Sequence, residues 1–360
     1  MLRHPSGETT IRRVCMVGAF DPSYARHAII REGLEAHGVE VDLRPIHKHA
    51  SARQRAAHLW KHFPKPGEVD AVILPAFNQL VAPVAWFLAR SRNLCLLVDY
   101  MVGQLDTLQD RSARLNPAKY WLYEEIERFN LRNLHSVTDT ALHREVFAQL
   151  SGVTPEHMTV LPVGVQSLDL LPPPPDNTPP VVQYAGTYIP FHGVDVILRA
   201  ASRLPDWTFE MIGVGQTLPQ ARKIAQILNL QNVQFIEQYV PQETLRQWQT
   251  RSTLMLGVFG DAAKTDYVIP NKVFEALALG RPIITAQSQA IAEQFTDGEH
   301  LVLVPPGDDA QLAASIRDLL ANPQQQAAIR QSGHQRIEEA FLPQHIGELL
   351  IAQLEAICSY

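Results

Sequence analysis

At 360 residues the chain is long for one domain and typical of two, and its 46% hydrophobic content is enough for two ordinary cores. Charged residues are 19% and the formal net charge is -6, which argues against a dedicated nucleic-acid binder. Cys15, Cys95 and Cys358 are scattered and odd in number. Cys15 and Cys95 sit in apolar runs and read as small buried hydrophobes, in a reducing, cytoplasmic setting. There is no Cys/His zinc spacing and no Asp-x-Asp triplet, so no metal site is expected. Met1 to Glu8 lacks a signal-peptide core, and no apolar run reaches the roughly 18 residues of a membrane span.

The first half alternates strand-like runs with helical patterns. Arg13 to Val17 reads as a strand ending at Gly18, Ala25 to His37 as a helix stopped by Gly38, and Val39 to Leu43 as a second strand. Ala71 to Leu74 and Leu94 to Val98 are continuous apolar runs of the parallel-sheet type. Ser136 to Thr138 and Met158 to Leu161 complete the set. Leu171 to Pro180 then holds six prolines in ten residues, so residues 172–180 are expected to be a stiff linker between domains 1–171 and 181–342.

After the linker the alternation restarts. Strands are expected at Val181–Tyr184, Trp207–Ile212, Val233–Ile236, Leu254–Val258, Pro282–Ala286 and Leu301–Val304, with helices between them and two more from Ala310 to Ala340. The predicted fold class is α/β, two Rossmann-like doubly wound domains facing a cleft, with ligands at the carboxyl ends of the strands. A final amphipathic helix, within 343–360, is expected to cross back to the first domain.

The densest signal is Val268 to Ile284. Pro270 suits a first helical position and Asn271 an N-cap; Gly280 suits a left-handed C-cap, and Pro282 forbids continuation. Lys272 and Glu275 lie at the helix start, three apart on one face. A helix N-terminus beside a lysine attracts anions, and a carboxylate one turn on accepts hydrogen bonds from paired hydroxyls. A nucleotide-sugar site fits both features.

These residues resemble the glycosyltransferases of the GT-B fold, most closely family four, the glycosyl transferases group one. Gln183-Tyr-Ala-Gly-Thr-Tyr-Ile-Pro-Phe-His-Gly193 resembles the family's phosphate loop, Met211-Ile-Gly-Val-Gly215 its next strand-end glycine pair, and Pro270 to Pro282 its donor-sugar motif. The resemblance implies a UDP- or GDP-linked sugar donor used as substrate with no cofactor, retaining transfer, no essential metal, and diphosphate charge met by basic side chains and a helix dipole. It implies donor contacts at Gly186, Thr187, His192, Gly193, Gly213, Gly215, Gln238, Tyr239, Asn271, Lys272, Val273 and Glu275. Thr187 and His192 stand where the family carries arginine and lysine, and Lys272 would replace that charge. Tyr267 stands where the family has its first motif glutamate, with Asp266 one place off.

In the first domain, Gly18 to Arg26 ends a strand and opens a helix, offering Asp21, Tyr24 and Arg26 to an acceptor, with Tyr100 beside them. Arg26 in a first helical turn runs against the dipole and suggests an anionic partner. Asp99 is the expected catalytic acid or base, together with His192 across the donor motif. Asp106, Asp110-Arg111 and Asp139-Thr140 with His143 are the competing positions. Arg44 to Lys65 holds six Lys/Arg and four His with no acid, plus Leu59, Trp60 and Phe63. It is either a solvated helix face or a peripheral contact with an anionic membrane on its cytoplasmic side.

The leading expectation is a hexosyltransferase-like enzyme of glycan or glycolipid biosynthesis, acting on a glycan, lipid-linked or small-molecule acceptor. The alternatives are a non-catalytic nucleotide-sugar-binding partner protein and a nucleotide-sugar epimerase of the same fold. Gly213 and Gly215 lack the full G-x-G-x-x-G pattern, which weakens a dinucleotide reading.

Overall fold

The computed structural model describes residues 10–110, 116–172 and 180–358. The chain forms two compact units: Met1–Gln166 with Ala340–Tyr360, and Ser167–Glu339. The division therefore falls before the proline run. Leu171 N–H donates to Leu279 O, and Arg281 donates to Pro172 O, so residues 171 and 172 are anchored to the second unit. Of the expected linker, residues 173–179 lie outside the described residues.

The first unit runs β1 (Arg13–Ala19), α1 (Ala25–Ala36), β2 (Glu40–Ile46), α2 (Ala52–His62), β3 (Ala71–Leu74), α3 (Ala82–Arg92), β4 (Cys95–Asp99), α4 (Gln104–Asp110), α5 (Pro117–Asn133), β5 (His135–Thr138), α6 (Ala141–Ser151) and β6 (Met158–Val160). Its parallel sheet has the order β2-β1-β3-β4-β5-β6. Buried on both faces, its central strands must be continuous apolar runs, and β3 and most of β4 are. Ser51 starts α2 through a reciprocal capping box with Gln54.

The second unit continues with β7 (Val181–Ala185), α7 (Val194–Ser202), β8 (Thr208–Ile212), α8 (Leu218–Ile227), β9 (Val233–Ile236), α9 (Gln242–Gln249), β10 (Leu254–Leu256), α10 (Lys264–Tyr267), α11 (Asn271–Ala278), β11 (Ile283–Ala286), α12 (Gln289–Gln294), β12 (Val302–Val304), α13 (Asp309–Leu320) and α14 (Pro323–Ala340). Its sheet has the order β12-β11-β10-β7-β8-β9, also parallel. The order reverses at β7, the place where doubly wound sheets open a ligand crevice.

The last helix, α15 (Pro343–Cys358), belongs to the first unit and packs on α1. The two helices touch through backbone: a Cβ on Gly347 would lie 2.1 Å from Gly33 O, and one on Gly33 would lie 2.4 Å from Pro343 O. This contact also brings Cys358 to Cys95, two thiols far apart in sequence that pack against one apolar cluster.

Candidate donor site in the second unit

Helix α11 begins differently from the sequence expectation. Pro270 is the N-cap and Asn271 the first helical residue, and no side chain caps the end. A pyrrolidine has no N–H to lose there, and the uncapped end leaves its first amides to a ligand. The helix closes as a Schellman motif, with Gly280 N–H on Leu277 O, Arg281 N–H on Ala276 O and Gly280 at φ 61°. Val273 and Phe274 point into the core, so the side chain of Val273, expected as a donor contact, is a packing residue.

Lys272 and Glu275 face the other way. The Lys272 ammonium is buried and has no hydrogen-bond partner. It lies 4.3 Å from the centre of the Tyr184 ring and beside Gly186. Burial lowers its pKa to about 7, and the nearby Glu275 carboxylate opposes that shift only in part. Glu275 keeps some of its surface accessible, and its own pKa is raised by burial against the pull of Lys272. A cation over an aromatic face is held by the ring quadrupole, but a buried amine without an acceptor is under-satisfied. An anion at Gly186 would complete it.

His192 does not supply the second charge. Its Nδ1 faces the Thr187 carbonyl oxygen and the Tyr184 hydroxyl, the latter at 2.8 Å. A carbonyl only accepts, so Nδ1 carries the proton. Burial, then the positive Lys272, push the imidazole well below its ordinary pKa. The neutral ring leaves Nε2 a bare acceptor, which neither donates to a phosphate nor acts as an acid. His192 therefore brings no positive charge to a phosphate and no proton to donate, and through Nδ1 it ties the 186–193 loop together.

The glycines serve the same loop. A Cβ on Gly213 would sit 2.0 Å from Gly186 O, and one on Gly215 2.5 Å from Tyr188 N. Close packing on the chain's own backbone is by itself a sufficient reason for glycine at 213 and 215, where the sequence suggested approach to a nucleotide. Gly193, at φ 62°, lets the loop turn against Gly260. Gly186 remains beside the Lys272 ammonium, and Thr187 next to it is exposed. Gln238 and Tyr239 are exposed after β9, the edge strand, with Tyr239 89% accessible. Asp266 is committed elsewhere: its carboxylate accepts from Gln289 N–H and Nε2 at the start of α12. Both of its oxygens are so occupied at the start of α12, and Tyr267 is buried. Tyr184, which carries the lysine, was not singled out from sequence; its position two residues before Gly186 on a strand is the only signal.

In the first unit the expected catalytic Asp99 is closed off. Arg26 Nε donates to Asp99 Oδ2 at 3.1 Å and Nη2 to Oδ1 at 3.2 Å, with both side chains fully buried. Arg26 also donates to the carbonyls of Leu161 and Pro162. The dipole anomaly of Arg26 is thus answered by Asp99 and two carbonyls, not by an acceptor. Tyr100 is buried too, 3.5 Å from Asn130 Nδ2, and presents nothing to a ligand. His143 pairs with Asp139 at 2.6 Å and Asp106 at 3.6 Å. Burial disfavours its charge, but the two carboxylates prevail and raise its pKa to about 9. The side chains of Asp110 and Arg111 lie outside the described residues. Asp21 and Tyr24 stay at the surface; Ser23 and Lys48 hold the Asp21 carboxyl down at about 2.

The basic segment 44–65 also separates into parts. Leu59 and Phe63 are core, and Trp60 alone is exposed, at 62%, stacked on exposed Phe87 of α3. Arg44 pairs with Asp42 and Glu68, Lys48 with Asp21, and Arg55 is spent on three carbonyls. Arg53, Lys61 and Lys65 remain exposed. No helix of the described residues is long and apolar enough to cross a membrane.

Comparison with known proteins agrees with this geometry. Residues 172–336 match the family model for glycosyl transferases group 1. A GDP-mannose-dependent alpha-(1-6)-phosphatidylinositol monomannoside mannosyltransferase of Mycolicibacterium smegmatis is 27% identical over 194 residues, 48% of this chain and 50% of that protein. The chain thus matches about half the length of its curated relatives. Among solved structures, sucrose-phosphate synthase from Thermosynechococcus elongatus superposes with a TM-score of 0.74 at 19% identity, covering 96% of this chain and 98% of the other. HepE of Anabaena, crystallised with UDP and glucose, gives 0.70 at 15% identity, covering 96% and 100%. Residues 172–336 thus carry the sequence pattern of glycosyl transferases group 1, in a chain whose two parallel-sheet units have the GT-B fold of its structural neighbours.

Proposed function

We propose that the protein transfers a sugar from a nucleoside-diphosphate donor to an acceptor hydroxyl, with retention at the anomeric carbon and no metal at the diphosphate. The observation that carries this reading is the buried, unpartnered Lys272 beside Gly186 at the uncapped start of α11. As the glycosidic bond breaks, negative charge grows on the leaving diphosphate. A preorganised ammonium and helix dipole stabilise that charge without reorganising. Glu275, one turn on, accepts from the donor's paired hydroxyls. UDP complexes of structural neighbours support a uridine donor.

Titration of UDP and GDP into wild type, Lys272→Met and Glu275→Ala tests the site. Binding is lost in both variants if the assignment holds; unchanged affinity in Glu275→Ala sinks it. The closed Arg26–Asp99 pair favours one second reading, a binding partner without turnover. Nucleotide release from a donor panel, with and without acceptors, separates the two.

The exposed Trp60–Phe87 stack beside Arg53 and Lys61 supports peripheral contact with an anionic bilayer. Co-sedimentation with anionic but not zwitterionic vesicles, weakened in Trp60→Ala/Phe87→Ala, is the expected result.

A further inference from the structure

We propose that the loop after β3 is a platform for the sugar ring of an anionic saccharide, with Phe77 as its stacking face. This deepens the transferase reading by assigning the chemical class of the acceptor. Among the described residues three non-glycines have left-handed φ: Asn93, Asn229 and Phe77, the last at 71°. Asparagine tolerates that region through local hydrogen bonding, and Asn93 is the C-cap of α3. Phenylalanine has no such reason to be there. Nor does burial explain it, since the ring is 42% exposed and meets Tyr24 edge-on at 5.8 Å. A strained backbone that displays a large apolar ring to solvent gains nothing for the fold.

The surrounding structure holds that conformation firmly. Asn78 is buried; its Oδ1 accepts from Ala19 N–H at 2.9 Å, and its Nδ2 donates to Ala19 O at 3.0 Å and Pro75 O at 2.9 Å. Arg55 reaches from α2 to donate to Phe77 O, Ala50 O and Lys48 O. These two side chains bind together the loops that follow β1, β2 and β3, three adjacent strands of the sheet. Ligands of doubly wound sheets bind at such carboxyl ends. Sugar rings present a C–H face that stacks on an aromatic ring, and Phe77 and Tyr24 offer one.

Charge gives the rest of the specificity. His47, Lys48 and His49, on the loop that Arg55 fixes, are exposed. Asp21 beside them accepts from Ser23 and pairs with Lys48 at 3.2 Å, so that pair adds no net charge and the groups left to meet an anion are the exposed imidazoles of His47 and His49. Residues 43–67 contain no Asp or Glu. A carboxylate or phosphate on the sugar would meet this basic edge while its ring lies on Phe77.

The test uses the full chain with glucuronate, glucose 6-phosphate and glucose as probes, read by saturation-transfer NMR and thermal melting. Both anionic sugars are expected to bind about tenfold more tightly than glucose, a gap of one decade in Kd. Phe77→Gly should abolish their binding while the Tm holds or rises, because glycine accepts φ 71° without strain. His47→Gln/His49→Gln, which leaves the Lys48–Asp21 pair intact, should erase the preference over glucose. Equal binding of all three sugars overturns the anionic assignment, and a fallen Tm with unchanged binding in Phe77→Gly makes Phe77 structural. UDP titration of the same samples separates the claims. If wild type binds UDP but no saccharide, the platform fails and the donor site stands; if it binds the anionic saccharides but no nucleotide, the reverse holds.

Discussion

In the first unit, Arg26 and Asp99 satisfy each other inside the fold, and His143 is set between Asp139 and Asp106. In the second, Lys272 is buried with a ring face and the nearby Glu275 carboxylate offsetting its charge only in part, and with no hydrogen-bond acceptor. The contrast separates structural from functional charge more sharply than residue type does. A buried ion pair with its hydrogen bonds filled has no capacity left for a ligand. A buried amine without an acceptor carries a desolvation cost that only a ligand removes.

Breaking the closed pair should have the largest effect. Asp99→Ala leaves the Arg26 guanidinium buried without its carboxylate and should cost about 3–5 kcal/mol in urea unfolding. Arg26→Met/Asp99→Leu, which removes both charges, should recover most of that loss. If instead Asp99→Ala is stable and abolishes transfer, Asp99 is catalytic and the contrast collapses. Overfilling the α1–α15 contact is the next largest: Gly347→Leu pushes a side chain into Gly33 and should cost about 1–3 kcal/mol or more.

The open site predicts the opposite sign. Lys272→Met keeps the volume and removes an uncompensated charge, so stability at pH 7 should hold or rise while UDP binding is lost. The pH dependence follows from the depressed pKa. Unfolded, the lysine keeps its proton up to its ordinary 10.5; folded, it releases it near 7. Between those values the unfolded state binds more protons, so wild-type stability should gain on the methionine variant as pH rises, levelling above 10.5. Nucleotide affinity should move the other way, weakening above about pH 7 with proton uptake on binding, which calorimetry in buffers of different ionisation enthalpy measures.

Local grammar made much of the fold legible. Apolar runs marked the strands, and Gly280 with Pro282 marked the end of α11. Lys272 and Glu275 could be singled out because their meaning lies within one turn of one helix. The Arg26–Asp99 pair spans 73 residues, and the contact of Gly33 with Gly347 spans most of the chain, so no sequence window contains either. Val273 was expected at the donor only through the motif resemblance, and its side chain is core. The strain at Phe77 is a property of φ, which a sequence does not display.

The smallest effect bears on the missing motif acid. Asp266 lies one place from the position now held by Tyr267, close enough in sequence to look like its replacement. Its two oxygens are bonded to the amide and side chain of Gln289, where they satisfy and electrostatically favour the N-terminus of α12 alongside the Ser288 cap. Loss of one such N-terminal contact costs about 1 kcal/mol. Asp266→Ala should therefore lower the Tm slightly and leave UDP affinity and turnover unchanged. A large fall in turnover at preserved stability would show that the carboxylate leaves α12 to meet the donor sugar. The second unit would then hold a closed charge that opens, and the distinction between its buried lysine and the sealed pair of the first unit would be one of state instead of architecture.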